Sequence, residues 1–174
     1  ASPQPVTPVT TSGPTAPAGT QVGKMLAWAK LQVGAPYAAV NPFRFGEVPW
    51  DGKLHKSQNG SGRVYHIAKG KTVFDCSGFV VAAYRKLGVD LMSHGLASTQ
   101  QFIDDRRFLK PVTKDALKPG DLILYKPHKG IGHVVIYMGG NSCIEARSST
   151  GVTVTTVNWK NVKTYRRVPV PEVG

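Results

Sequence analysis

Hydrophobic residues recur at helical spacing in the first part of the chain and at strand spacing after Pro119-Gly120. Apolar positions three to four residues apart predict helices over 22–33, 76–87 and 98–107. Five stretches with a period of two follow, and turns rich in Gly, Asn, Pro or Ser separate them. These strands are expected at 121–126, 133–139, 143–147, 152–157 and 164–170. The order predicts an α+β fold in which N-terminal helices pack on a five- to six-stranded antiparallel sheet.

Two segments fall outside this pattern. Residues 1–20 contain no charged or aromatic side chain and are dominated by Pro, Thr, Ala, Ser, Gly and Val, a composition that predicts a linker or tail. A tail that lies across the active site is the alternative. Residues 21–174 then form one folded domain. Within that domain, the stretch 38–72 is rich in Gly, Asn, Pro and Lys and long for a connection, so we expect an irregular insertion there.

The composition narrows the class of protein. A hydrophobic fraction of 41% over 174 residues suits one compact domain, and nothing in the chain calls for more than a monomer. No apolar run approaches the ~20 residues of a membrane helix, so no integral membrane segment is expected. The N-terminus lacks the basic and apolar regions of a signal peptide, which an exported protein would already have lost.

The chain is strongly basic, with a formal net charge of +12. This balance favours an anionic partner, and the candidates are nucleic acid, a membrane surface and anionic cell-wall polymer. The basic residues are spread along the chain, and no recognition-helix, zinc-finger or RNA-binding signature accompanies them. We therefore do not expect a nucleic-acid partner.

Only two cysteines are present, Cys76 and Cys143. They allow one disulfide or two free thiols, fewer than a small domain stabilised by disulfides usually has. No Cys-x-x-Cys pair or His/Cys cluster has zinc-ligand spacing, so the sequence predicts neither a metal site nor a cofactor. We expect one reactive thiol and one buried, inert one.

Three separated residues have the properties of a catalytic triad. Asp75 is suited to cap the second helix, which places Cys76 in the first turn, where the helix dipole and free N–H groups stabilise a thiolate and an oxyanion. His133 begins an apolar strand. A turn after Gly139 returns the chain and brings Glu145 alongside, where a carboxylate would orient the imidazole and stabilise its cation. The pattern predicts Cys76 as nucleophile, His133 as general base and Glu145 as the residue that orients it.

Four segments carry a family resemblance: GAPY (34–37), FDCSGFVVAAYRKLG (74–88), LKPGDLILY (117–125) and GHVVIYMGG (132–140). In this order they resemble the signature segments of the NlpC/P60 cell-wall peptidases, over about residues 22–157. The resemblance implies a papain-like fold, a secreted enzyme of the cell envelope, and hydrolysis of peptidoglycan stem peptides. The D-glutamyl–diamino acid bond is the implied target. The spacing of twelve residues between His133 and Glu145 is similar to that of actinobacterial endopeptidases.

The same resemblance implies that Tyr37, Asp75 and Ser77 bind substrate, with Asp75 and Ser77 holding its free amino end. The alternatives are that Tyr37 packs, Asp75 only caps the helix, and Ser77 satisfies a backbone group. The long insertion between Tyr37 and Asp75 departs from the family pattern, and we expect it to reshape one wall of the cleft. Two alternative functions remain. The chain could be a peptidoglycan-binding module with idle catalytic residues, or an amidase or acyl transferase with the same fold. Anionic cell-wall polymers are a second expected partner.

Overall fold

The computed structural model describes residues 16–17 and 19–171. The predicted linker at 1–20 lies almost entirely outside the described residues. The first helix, α1, spans Gln21–Leu31 and begins where the Thr20 hydroxyl accepts a hydrogen bond from the Gly23 N–H (3.0 Å). It ends two residues before the predicted end at Val33, ahead of Gly34, whose φ of 96° an L-residue rarely adopts.

The other two predicted helices are present as α2, Cys76–Arg85, and α3, Thr99–Asp104. Helix α3 is shorter than the predicted 98–107 because Asp105 adopts an extended backbone. The Asp105 carboxylate then accepts the N–H groups of Phe108 and Leu109, which fixes the turn. None of the helices in the described part of the chain is both long and apolar enough to span a membrane.

Six antiparallel strands form the main sheet, which confirms the predicted α+β architecture. The strands are β3 (Lys110–Pro111), β4 (Leu122–His128), β5 (Ile131–Gly139), β6 (Ser142–Arg147), β7 (Gly151–Thr156) and β8 (Val162–Arg167). Their order in the sheet is β3-β8-β4-β5-β6-β7. The five predicted strands are present, and the sequence did not predict β3, a two-residue edge strand that includes a proline.

The core places α2 against one face of this sheet. Every residue of α2 except Arg85 is buried, because the helix lies between α1 and strands β5 and β6. The facing side chains on the strands include Val134, Ile136 and Ile144, all fully buried. The opposite face of the sheet carries a second apolar cluster that contains Cys143 and Val135. This packing fixes the start of α2 relative to the start of β5.

The insertion at 38–72 is more ordered than its polar composition predicted. A two-stranded antiparallel sheet, β1 (His55–Lys56) with β2 (Val64–Tyr65), lies within it. Trp50 is buried, packs against Phe43 with ring centroids 4.9 Å apart, and donates its indole N–H to the Lys53 carbonyl (3.2 Å). A few aromatic residues thus give the insertion a small core of its own, formed by Ala38, Val40, Phe43, Trp50, Tyr65 and Val73.

Candidate active site

Cys76 is the first residue of α2, as the sequence predicted. The Asp75 carboxylate caps the helix by accepting the Gly78 N–H (2.7 Å). The N–H groups of Cys76 and Ser77 precede the first backbone bond of the helix, from Phe79 N–H to the Asp75 carbonyl (2.9 Å). The positive end of the helix dipole therefore coincides with the thiol, where it stabilises negative charge.

His133 and Glu145 lie on neighbouring strands, β5 and β6. Ile136 pairs with Ile144, so continuing the register places Glu145 one diagonal step from His133 on the same face of the sheet. The imidazole Nε2 donates to Glu145 Oε1 at 3.1 Å. This bond leaves Nδ1 as the nitrogen that is available to Cys76. Tyr125 stacks on the imidazole with centroids 5.9 Å apart and limits its rotation.

The thiol of Cys76 faces the beginning of β5. Its Sγ lies 4.0 Å from the Gly132 carbonyl oxygen and 3.7 Å from Thr99 Oγ1, at the start of α3. A Cβ at position 132 would lie 2.8 Å from Thr99 Cγ2, so the close approach of α3 to β5 depends on glycine there. The structure thus brings Cys76, His133 and Glu145 together at the junction of α2, α3 and the sheet.

Glu145 is buried but has several hydrogen-bond partners. Besides His133, Arg147 Nε lies 3.2 Å from its Oε1, and the Thr155 hydroxyl donates to its Oε2 at 2.7 Å. Burial alone raises the pKa of a carboxyl group, but the hydrogen bonds and charges of these neighbours outweigh it and hold the pKa of Glu145 below its ordinary value. Glu145 is therefore ionised at neutral pH.

The two neighbours of His133 favour its charged form. Burial lowers the pKa of an imidazole, but here the side chains of Cys76 and Glu145 outweigh burial and raise the pKa of His133 to about 10. An imidazolium between a thiol and a carboxylate is the arrangement in which a cysteine ionises most readily.

This pKa gives an expected pH dependence of stability. The folded-state pKa of His133 lies above its ordinary value of 6.5, so its contribution to stability is complete below pH 6.5 and is lost as the pH rises through about 10. We expect the difference in free energy of unfolding between wild type and His133→Gln to fall over that interval. Urea titrations at a series of pH values measure it, and a difference that stays constant would contradict the assignment.

Cys143 is the second thiol and is fully buried on β6. Burial raises its pKa to about 12, and its Sγ lies 3.7 Å from Glu145 Oε2. It points to the same face of the strand as Glu145, as the alternation along a strand requires. Cys143 therefore stays protonated and packs behind the Glu145 carboxylate, and a buried, protonated thiol does not act as a nucleophile.

The predicted substrate-binding residues all line the cleft beside Cys76, which has a volume of about 310 Å³. The ring of Tyr37 lies next to that of Tyr65, with centroids 6.4 Å apart. Burial, together with the neighbouring Cys76 and Asp75, raises the pKa of Tyr37, which remains a neutral phenol. Asp75 and Ser77 form the wall next to the nucleophile, where Asp75 also caps α2.

Sequence reasoning missed Arg44, which reaches into this wall from the insertion. Its guanidinium Nη1 lies 3.2 Å from Asp75 Oδ1 and donates to Ser77 Oγ at 3.1 Å. The sequence carries no signal for this contact, because Arg44 is one of many basic residues in a segment outside the family motifs. Thr99, Thr155 and Arg147 were missed for a similar reason, since each acts on a predicted residue only through the tertiary fold.

Comparisons with known proteins agree with the fold and the motifs. The model of the NlpC/P60 family matches residues 62–168. The peptidoglycan DL-endopeptidase CwlO of Bacillus licheniformis is 36% identical over 90 residues, which cover 50% of this chain and 19% of CwlO. The chain covers less than half the length of such curated relatives.

Two solved structures share the fold. The peptidoglycan hydrolase RipB of Mycobacterium tuberculosis aligns with a TM-score of 0.58 and 29% identity, over 91% of this chain and 69% of RipB. RipD of the same organism, described as a non-catalytic NlpC/p60 domain protein adapted to peptidoglycan binding, aligns with a TM-score of 0.57 and 24% identity. That alignment covers 87% of this chain and 98% of RipD. The similarity to RipD shows the fold alone, so the question of catalysis depends on the side chains of the site.

Proposed function

This chain belongs to the NlpC/P60 family, and on that premise we propose that it is a cysteine endopeptidase that hydrolyses the stem peptides of peptidoglycan. The observation that carries the proposal is the arrangement of three side chains. Cys76 starts a helix, His133 interacts with the Cys76 side chain, and Glu145 accepts the Nε2 proton of His133 at 3.1 Å. An idle binding module has no use for a buried carboxylate aligned in this way.

The proposed reaction follows from this geometry. The Cys76 thiolate attacks the scissile carbonyl carbon, and the N–H groups at the start of α2 stabilise the resulting oxyanion. The imidazolium of His133 donates its Nδ1 proton to the departing amine, so the C–N bond breaks and a thioester remains. Water then attacks the thioester while His133 accepts its proton. The C–S bond then breaks, the product leaves as a carboxylic acid that loses its proton to solvent, and the thiolate–imidazolium pair is restored.

We propose the D-glutamyl–diamino acid bond as the target, which the name of CwlO, a DL-endopeptidase, supports. The side of the cleft next to His133 carries basic residues that suit a substrate rich in carboxylates. Arg63, His128 and Arg147 line this part, with a volume of about 380 Å³. The net charge of +12 supports anionic wall polymer as a second partner, with binding that weakens at high salt.

A sedimentation assay with purified peptidoglycan tests the proposal against the binding-module alternative. Wild type should release soluble fragments, whereas Cys76→Ala should sediment with the polymer and release none. Equal binding without release by either protein would favour the idle module. The masses of released fragments separate an endopeptidase from an amidase, because an amidase frees whole stems from the glycan.

A further inference from the structure

Arg44 occupies the part of the cleft wall where Asp75 and Ser77 present their polar atoms. Its Nη1 lies 3.2 and 3.4 Å from the two Asp75 carboxylate oxygens and 3.1 Å from Ser77 Oγ. Its Nη2 donates to the Ala97 carbonyl at 2.8 Å, and its Nε donates to Asn41 Oδ1 at 2.7 Å. Every nitrogen of the guanidinium therefore has a partner in the wall.

The arginine is a fixed part of this wall. Its side chain is only 13% exposed, and its guanidinium stacks over the Phe45 ring at 4.1 Å from the centroid. Its backbone carbonyl accepts the Asp75 N–H (3.2 Å) and passes so close to α2 that a Cβ at Gly78 would lie 2.0 Å from it. Removing the guanidinium from Asp75 would break these contacts and leave a buried carboxylate unpaired.

The ion pair changes which chemical groups this pocket accepts. Among the described residues that line it, Asp75 is the only acidic side chain and Arg44 the only basic one. Burial outweighs Arg44 and raises the pKa of Asp75, and the guanidinium compensates the charge of the ionised carboxylate, so neither form offers a free negative charge to offset the desolvation of an incoming ammonium group. Apart from the Cys76 thiol, whose partner is His133, the remaining polar lining is uncharged and rich in amides, from Asn41, Gln58, Asn59 and Gln100.

We propose that Arg44 is a specificity-determining residue. It occupies the Asp75 and Ser77 side chains, so that they do not bind an ammonium group, and it thereby selects peptides whose amino end is acylated. This inference rests on the proposed function and names its substrate class. An acylated amino end is neutral, and its amide donates and accepts hydrogen bonds as the lining amides do. Such ends occur on stems still joined to another group through an amide bond. The free amino end that the family resemblance implied for Asp75 and Ser77 is therefore not the group bound here.

The test compares two forms of one probe, a tripeptide with alanine ahead of the γ-D-glutamyl–diamino acid unit. One form has a free amino end and the other is N-acetylated. Calorimetry at pH 6 keeps the free amine charged, since its ordinary pKa is about 7.7–8.0. All proteins carry Cys76→Ala, so binding is measured without hydrolysis. We expect the acetylated form to bind at least about tenfold more tightly, a difference of about 1.4 kcal/mol.

Three further variants in the Cys76→Ala background identify the cause. Arg44→Met removes the partner of Asp75, so the ammonium group of the free amine can take the place of the guanidinium beside the carboxylate, and the preference should shift toward the free amine by about tenfold. Adding Asp75→Asn, which retains a capping side chain, should remove that shift. Arg85→Met is the matched control, because Arg85 forms a similar ion pair with Glu47 at the far end of α2 and should leave the preference unchanged.

The comparison in the Cys76→Ala protein decides the proposal even where Arg44→Met fails to fold. Equal binding of the two forms, tighter binding of the free amine, or binding of neither would overturn it. Failure of the proposed function gives a different result. Wild type would then leave both peptides intact, while the Cys76→Ala protein still preferred the acetylated one.

Discussion

Replacing Cys76 by alanine is expected to lower kcat/KM for stem-peptide hydrolysis on the order of 10⁴-fold or more. In the proposed reaction the thiolate is the nucleophile, and neither His133 nor the helix N-terminus can form the thioester without it. The N–H groups of α2 remain in place, so substrate binding should change little. Release of peptide fragments measured by chromatography gives the rate, and calorimetry with an intact peptide gives the affinity.

The second cysteine supplies an internal control for this result. Cys143 is fully buried and has a pKa raised to about 12, so iodoacetamide should add one group to the folded wild type, at Cys76, and none to Cys76→Ala. Thermal unfolding verifies that the variant is folded. A Cys76→Ala protein that retains hydrolysis within tenfold of wild type would contradict the assignment of the nucleophile.

Replacing Glu145 by glutamine is expected to lower kcat by about 10²-fold. The amide oxygen can still accept the Nε2 proton of His133, so the ring keeps its orientation, but the negative charge that stabilises the imidazolium is lost. Glu145 also contributes to the raised pKa of His133, so the alkaline limb of the pH–rate profile should move to lower pH. Rates between pH 5 and 11 measure both effects.

Glu47, which lies outside the site, provides the control for Glu145→Gln. It shows whether losing any glutamate charge has the same effect as losing the charge of Glu145. Glu47 is exposed and pairs with Arg85 at 2.6 Å, so Glu47→Gln should leave both the rate and the pH profile unchanged. An unshifted alkaline limb in Glu145→Gln would show that this carboxylate does not tune His133. A purely structural role would lower the rate without moving that limb.

The sequence was sufficient to predict which three side chains, Cys76, His133 and Glu145, the fold brings together, because local signals mark each of them. A capping Asp75 before Cys76 indicates a thiol at a helix start, and His133 precedes the apolar run of a strand one hairpin away from Glu145. The strand itself begins two residues earlier than predicted, at Ile131. The strands were predicted for the same reason, since alternation and turn residues are local features. The missed strand at Lys110–Pro111 has only two residues and a proline, and its pairing with β8 depends on the tertiary fold.

The wall of the cleft could not be predicted from the sequence, because it is formed by tertiary contacts that no local pattern indicates. Arg44 lies 31 residues before Asp75, in a segment whose polar composition predicted an irregular loop. The burial of Trp50 and Phe43 gives that segment a core, and this core holds the backbone around Arg44 in place. Sequence alone therefore predicted the proximity of Cys76, His133 and Glu145 but not the ion pair between Arg44 and Asp75 in the pocket beside them.

The central claim is tested most directly by mass spectrometry of purified peptidoglycan fragments incubated in H₂¹⁸O with wild type and with Cys76→Ala. We predict that wild type alone produces fragments split between D-glutamate and the diamino acid, with one ¹⁸O in each new carboxylate from thioester hydrolysis. Cleavage by both proteins, or by neither, would contradict a Cys76-dependent peptidase.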